Sequence, residues 1–152
     1  MKTKVIFLIL VLLTSMFLGA TNVSSLGLGV APEEIKIESA LRGTNYRNTL
    51  FIWNLDPEER DVELVATGDI AEWITFYAID DKNYTTPITL LENIPPKTSA
   101  KAISQIDIPI EASNGNYNGS IQANLLSNAT LNESGQTTVD LAMPIFVNLN
   151  VT

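Results

Sequence analysis

Apolar and polar residues alternate along most of this 152-residue chain, with a period of two rather than 3.6. Over residues 117–125 the odd positions carry Tyr, Gly, Ile, Ala and Leu, and the even positions carry Asn, Ser, Gln and Asn. The run over residues 139–151 repeats this pattern, with Pro144 inside it. Each run predicts a half-buried strand. Because proline has no N–H for the ladder, the second run predicts an edge strand or a bulge.

Shorter runs of the same kind predict strands over residues 35–39, 48–54, 62–66, 73–79, 88–91 and 100–108. Glycine, proline and aspartate pairs punctuate the chain between them, and residues 69–73 have room for one helical turn. Short strands spaced by about 8 to 12 residues, without an amphipathic helix, are typical of a two-layer antiparallel sandwich. We therefore predict an all-β fold, a single immunoglobulin-like β-sandwich of about seven to nine strands over residues 30–152.

The first twenty residues have the layout of a secretory signal peptide. Lys2 and Lys4 precede the apolar run 5–13, and small residues end at Ala20, a suitable cleavage site. The alternative is a retained membrane anchor, since the apolar stretch is only slightly shorter than the ~20 residues that a spanning helix needs. We expect cleavage, no stable membrane insertion afterwards, and a flexible segment over residues 21–29.

Composition narrows the classes of partner. Two of the nine basic residues and none of the seventeen acidic ones precede the expected cut, so the net charge changes from -8 to -10 on cleavage. A surface this acidic excludes nucleic acid as a partner. Without cysteine, an exported domain depends on packing alone, and without histidine it lacks the commonest metal ligand and general base.

Asparagines are unusually frequent, and six of the fourteen begin an Asn-x-Ser/Thr sequon. The predicted glycosylation sites are Asn22, Asn83, Asn118, Asn128, Asn132 and Asn150. The alternative is that an Asn- and Thr-rich β protein accumulates sequons through its composition alone. We expect Asn128 and Asn132, in the polar loop between the last two strands, to be the most accessible of the six, because loop tips tolerate bulk.

Tyr117 follows the turn sequence Asn114-Gly115 and begins the penultimate predicted strand. This is the place of a tyrosine corner, whose hydroxyl bonds to the backbone just upstream. Gly119, on the same face, would leave room for the ring. The alternative is a plain core tyrosine on an inward face.

Three stretches carry a resemblance to a known family: "GVAPEEIKIESALRGTNYRNTLFIWN", "VATGDIAEWITF" and "IPPKTSAKAISQIDIPIEASNGNYNGSI". They resemble the immunoglobulin-like β-sandwich modules of large archaeal and bacterial cell-surface proteins, from Gly29 to about Leu126. The resemblance implies an extracellular structural or adhesive role, in archaea often close to the surface layer. It transfers no catalytic residue. Because this chain shows a single module, we expect a partner to hold it at the surface.

Acidic side chains are the only candidates for chemistry. Asp69 with Glu72 and Asp80 with Asp81 lie in turns, where solvated carboxylates are the ordinary case, so we predict that the chain is not an enzyme. We predict no cofactor. Calcium is the one alternative, with Asp80, Asp81 and the acidic loop 56–61 as candidate ligands, although neither stretch follows an EF-hand pattern.

Two sets of apolar residues are candidates for interaction. Phe51 and Trp53 alternate with Leu50 and Ile52, so either one pair faces a partner or the strand is covered on both sides. Leu26, Leu28 and Val30 alternate with glycines just after the expected cut, in a segment suited to join a sheet edge. That edge belongs either to a partner or to the chain's own last strand.

Three functions remain compatible with the sequence. The first is a secreted cell-surface module that docks on envelope or surface-layer proteins through sheet edges or apolar patches. The second is a subunit of an extracellular filament, in which the N-terminal segment of one copy completes the sheet of the next. The third is a carbohydrate-binding module.

Overall fold

The computed structural model of the chain describes residues 27–127 and 139–152. The regular secondary structure of this part of the chain consists of strands and one short 3₁₀ helix, Ala71–Trp73. The strands are β1 Leu28–Ala31, β2 Glu34–Ala40, β3 Asn45–Asn54, β4 Arg60–Gly68, β5 Ile74–Ala78, β6 Leu90–Ile94, β7 Thr98–Asp107, β8 Gly115–Leu126 and β9 Val139–Val151. The predicted all-β, immunoglobulin-like sandwich is confirmed. Within the described ranges, no helix has the length and apolar character needed to cross a membrane.

The strands form two sheets that pack face to face. The first sheet has the order β1-β3-β7-β5, and the second has the order β2-β9-β8-β4-β6. Among the described strands, all pairs are antiparallel except β2 with β9, which is parallel. Of the two alternatives for the N-terminal segment, pairing with the chain's own last strand is wrong in detail: β1 pairs with β3, and it is β2 that lies beside β9. Pro32 separates these two strands, where the chain passes from one sheet to the other.

The core lies between the sheets and follows the alternation of the sequence. Ile121, Ala123 and Leu125 on β8 are completely buried, as are Ile145 and Val147 on β9. Pro144 pairs with β8 on one side, but β2 joins β9 only from Phe146 onward. The prediction of an edge strand is wrong for β9 as a whole, because β9 lies between β2 and β8. Pro144 is tolerated because it lies in the first part of β9, which has no strand partner on the side away from β8 among the described residues.

Each of the shorter predicted strands is present with shifted ends, and two of these shifts have a clear physical reason. Trp73 lies in the 3₁₀ helix, so β5 begins one residue later than expected. The short edge strand β6 occupies Leu90–Ile94 rather than residues 88–91. Residues Glu92 and Asn93 of this strand are polar and exposed, so they break the apolar alternation that predicts strands. An edge strand tolerates this because it needs few inward side chains.

Candidate docking face

Strand β3 separates its apolar residues between the two sides of the first sheet. Leu50 and Ile52 are completely buried in the core, whereas Phe51 and Trp53 point outward and are half-buried. The rings of Phe51 and Trp53 stack on each other, with centroids 5.8 Å apart and planes inclined by 17°. The Lys101 ammonium, on the neighbouring strand β7, lies 5.1 Å from the Phe51 centroid. This arrangement gives the stack a cation–π partner.

Strand β1 lies beside this stack, because it pairs with β3. Gly29 is the register partner of Trp53, and a Cβ placed there would lie 3.4 Å from the tryptophan Cβ, in ordinary contact. Beyond the end of β3, Leu55 is 46% exposed. Its N–H donates to the Gly27 carbonyl over 2.9 Å, and its carbonyl accepts from the Lys97 ammonium. We call the surface of Gly29, Phe51, Trp53, Leu55 and Lys101 the docking face.

A loop covers the remainder of the same side of the sheet. Between β5 and β6, Tyr84 packs edge-on against Tyr77, with centroids 5.7 Å apart. The Arg47 guanidinium carbon lies 3.9 Å from the Tyr84 ring centroid. Outward-facing Tyr77 and Ile103 are buried for this reason, although they do not belong to the core between the sheets. The first sheet is thus covered on the β5 side and open on the β1 side.

Asp81 holds this covering loop in its conformation. Its carboxylate accepts hydrogen bonds from the backbone N–H groups of Thr86 at 2.9 Å, Thr85 at 2.8 Å and Asn83 at 3.2 Å. These bonds, with that of Thr86 the largest contribution, hold the pKa of Asp81 below its ordinary value. The Asp81 carboxylate, one of the candidate calcium ligands, therefore already accepts hydrogen bonds from its own loop.

The second acidic stretch is equally structural. Asp56 is completely buried, and its Oδ2 lies 2.9 Å from both the Nε and the Nη2 of Arg60. Asn54, also buried, accepts from the Asp56 N–H and donates to the carbonyls of Glu58 and Ile94. Among residues 27–127 and 139–152, no cluster of acids could hold a metal ion. Nothing in the sequence indicates that Asp56 is buried, because a loop of charged residues normally faces solvent.

Tyr117 makes the bond that defines a tyrosine corner. Its hydroxyl donates to the Ser113 carbonyl over 3.0 Å, and its ring packs against that of Trp73 with centroids 4.9 Å apart. The interpretation of Gly119 is wrong, however: a Cβ there would lie 2.7 Å from Ile70 Cγ1 rather than against the tyrosine ring. Gly119 instead allows Ile70 to enter the core.

The N-terminal candidates have different surroundings. Leu28 is 6% exposed and belongs to the core, and Val30 packs partly buried against it. Leu26 lies outside the described residues. The described part of the segment therefore completes its own sheet.

Three predicted glycosylation sites lie within the described ranges. Asn83 is exposed in the covering loop, and Asn118 is exposed on the outer side of β8. Asn150 is half-buried, and its Nδ2 donates to Asn116 Oδ1 over 2.7 Å. The remaining sites, Asn22, Asn128 and Asn132, lie outside the described residues.

Comparison with known proteins shows the fold. No protein-family model and no curated protein sequence matches the chain. It is similar to a family 123 glycoside hydrolase from Clostridium perfringens, with a TM-score of 0.52 and 16% identity over 84% of this chain and 27% of that one. It is similar to PapD-like domain 7 of human CEP192, with a TM-score of 0.50 and 12% identity over 88% and 91% of the two chains.

The E. coli chaperone DraB is a third similar structure, with a TM-score of 0.52 and 9% identity over 83% of this chain and 55% of the chaperone. The chain thus spans about a quarter of the hydrolase and about half of DraB. At these identities the likeness extends to the fold alone. It confirms the immunoglobulin-like sandwich that the sequence resemblance implied.

Proposed function

We propose that this chain is an exported, non-catalytic interaction module that docks on another envelope protein through the docking face. The half-exposed stack of Phe51 and Trp53 carries this proposal. Aromatic residues are enriched at the centres of protein interfaces, where they bury a large area at low cost in conformational entropy. The covering loop protects the aromatic residues on the β5 side of the same sheet, whereas the stack has no such cover among the described residues.

Charge indicates the chemistry of the partner. The chain is acidic, with a net charge of -8, yet Lys97 and Lys101 lie beside the apolar centre of the docking face. A partner with an apolar patch and carboxylates at its rim would complement this arrangement, and the surrounding acidic surface would repel a uniformly acidic partner. We infer a protein rather than a nucleic acid or an anionic lipid surface.

The stacking geometry favours a protein over a carbohydrate. A sugar packs its C–H surface against an open aromatic face, so a sugar platform requires ring faces that point to solvent. Here the two rings stack on each other with centroids 5.8 Å apart, and the Lys101 ammonium lies 5.1 Å from the Phe51 centroid, so part of the ring surface is already in contact. The remaining exposed part of the rings suits the apolar side chains of a protein surface.

Filament assembly by strand donation would require β1 to leave its own sheet. Leu28, now 6% exposed, would leave the core of its own copy, and a cavity would persist until the segment of a neighbour filled that place. The edge of β3, along its four register pairs with β1, would stay open for the same time. Docking through a preformed face avoids both costs, so we favour it over donation.

The expected signal peptide, the sequons and the resemblance to cell-surface modules support a location outside the cell, at the envelope. The partner that we propose is accordingly an envelope or surface-layer protein. The carboxylates of Asp56 and Asp81 make internal structural bonds, which supports a non-catalytic role for these two residues.

Binding to isolated envelopes tests this proposal. Purified wild-type protein, Phe51→Ser and Trp53→Ser are titrated onto envelopes freed of the native protein. We expect each substitution to weaken binding by about 30-fold, the equivalent of about 2 kcal/mol for an aromatic hot spot. Phe146→Ser is the matched control, because Phe146 is 57% exposed but lies on the other sheet. Equal affinity of all four proteins would refute the docking face.

A further inference from the structure

The outer side of the second sheet has a character opposite to that of the docking face. Asn116 and Asn118 project outward from β8, and Asn148 and Asn150 project outward from β9. The four residues are cross-strand neighbours, Asn116 with Asn150 and Asn118 with Asn148. We call them the amide cluster.

A groove of about 500 Å³ lies over this cluster. The amide cluster forms one wall, and residues 36–38 of β2 form the other. The register of β2 against β9 shifts between Ile37 and Ala40, beside this groove. At the rim, the Lys36 ammonium lies 2.9 Å from a carboxylate oxygen of Glu38.

Hydrogen bonds distinguish Asn118 from its neighbours. Asn150 donates its Nδ2 to Asn116, and Asn148 donates its Nδ2 to Glu34 Oε1 over 2.6 Å. The Asn118 side chain makes no hydrogen bond to another described residue, and it is exposed. Its amide nitrogen is therefore free to be substituted without loss of an internal bond in the described structure.

We propose that Asn118 carries an N-linked glycan whose first sugars lie in this groove. Asn118 begins the sequon Asn-Gly-Ser, and its side chain lines the groove. The donor is a lipid-linked sugar phosphate. The bond between the anomeric carbon and the phosphate oxygen breaks, and the phosphate leaves with the electron pair. Asn118 Nδ2 forms the new bond to that carbon and releases one proton to solvent.

The groove provides what sugar hydroxyls need, because they both donate and accept hydrogen bonds. The Nδ2 of Asn116 is an available donor, and the Oδ1 atoms of Asn148 and Asn150 are available acceptors. A glycan attached at Asn118 is held there by its covalent bond, so even weak contacts suffice to order its first sugars.

The other two described sequons differ in ways that the same experiment measures. Asn150 is half-buried and its Nδ2 lies 2.7 Å from Asn116 Oδ1, so a sugar on that nitrogen would crowd Asn116 and we expect Asn150 to be unmodified. Asn83 lies exposed in the covering loop and lines none of the groove, so a glycan there projects into solvent. Asn83 serves as the internal reference for an undocked glycan.

The full chain is secreted from a glycosylating host, and its glycopeptides are analysed by mass spectrometry. Glycosidase is then applied to the native protein and to the unfolded protein. We expect glycans at Asn118 and Asn83, none at Asn150, and trimming of the native protein at least tenfold slower at Asn118 than at Asn83. Unfolding should make the two rates equal. An unmodified Asn118, or equal rates in the native protein, would overturn the proposal.

Two variants test whether the groove causes the slow trimming at Asn118. Asn148→Ala removes part of the groove wall without altering a sequon, and should raise the native trimming rate at Asn118 to that at Asn83. Asn124→Ala, on the same outer side but away from the groove, should leave the rate low. The inference shares only the expectation of export with the proposed function. Trp53→Ser should not change the glycan, so the failure of either proposal is distinguishable from failure of the other.

Discussion

Replacing Tyr117 with phenylalanine removes one hydroxyl group and leaves the ring against Trp73. The hydroxyl donates to the Ser113 carbonyl over 3.0 Å, a normal length for this bond. One intramolecular hydrogen bond contributes about 0.5 to 1.5 kcal/mol to stability, so we expect the free energy of unfolding to fall by about 1 kcal/mol. With an m-value of about 2 kcal/mol/M in urea, the unfolding midpoint should fall by about 0.5 M.

Urea unfolding followed by tryptophan fluorescence measures this shift, because Trp73 lies 4.9 Å from Tyr117 between ring centroids. Tyr84→Phe is the matched control. The Tyr84 hydroxyl makes no hydrogen bond to another described residue, so its removal should leave the midpoint unchanged. If both variants unfold at the wild-type midpoint, the corner bond contributes nothing and Tyr117 acts only through its ring.

Gly119→Ala should lower the free energy of unfolding by about 1 to 3 kcal/mol in thermal or urea unfolding, because the new Cβ would lie 2.7 Å from buried atoms. Gly29→Ala, with its nearest contact at 3.4 Å, should stay within about 0.5 kcal/mol, and equal losses would contradict this packing. The bond from Thr86 depresses the pKa of Asp81, so its support of the loop is complete above the ordinary value of 3.8 and is lost as pH falls through the lower folded pKa. The amide proton of Thr86 should therefore titrate with a midpoint below 3.8 by NMR, and a midpoint at or above that value would contradict the assignment.

Alternation predicted the parts of the fold in which only one side of a strand is apolar. On β8 and β9 the inward side chains follow directly from the period of two, because a strand has only two faces. The sequence also predicted the tyrosine corner, since Asn114-Gly115 marks the turn just before Tyr117.

The sequence predicted less well which strands pair with one another. Leu28 and Val30 alternate equally well whether β1 joins β3 or β9, so the pattern cannot select the sheet. The choice depends on contacts between residues far apart in sequence. The parallel pairing of β2 with β9 has the same origin.

The sequence predicted only part of the docking face. The sequence identified Phe51 and Trp53 as unusual, but both sides of β3 are apolar, so only the packing of Leu50 and Ile52 in the core shows which pair faces outward. The sequence did not indicate a role for Lys101, because nothing in the residues of β7 shows that Phe51 lies opposite it.

The two outer sides of the sandwich therefore differ in chemistry. The first sheet presents stacked aromatic rings with lysines beside them, and the second presents a row of amides that includes a sequon. A glycan on the second sheet would leave the first as the accessible apolar surface. Under the two proposals, this difference between the sheets accounts for an aromatic stack that remains exposed.

Site-specific photo-crosslinking in intact cells tests the docking face most directly. A photoreactive phenylalanine analogue replaces Phe51 in one variant and Val65, on the outer side of the second sheet, in the control. We predict one discrete adduct with an envelope protein from position 51 and none from position 65. No adduct from position 51, or the same adduct from both positions, would contradict the proposed function.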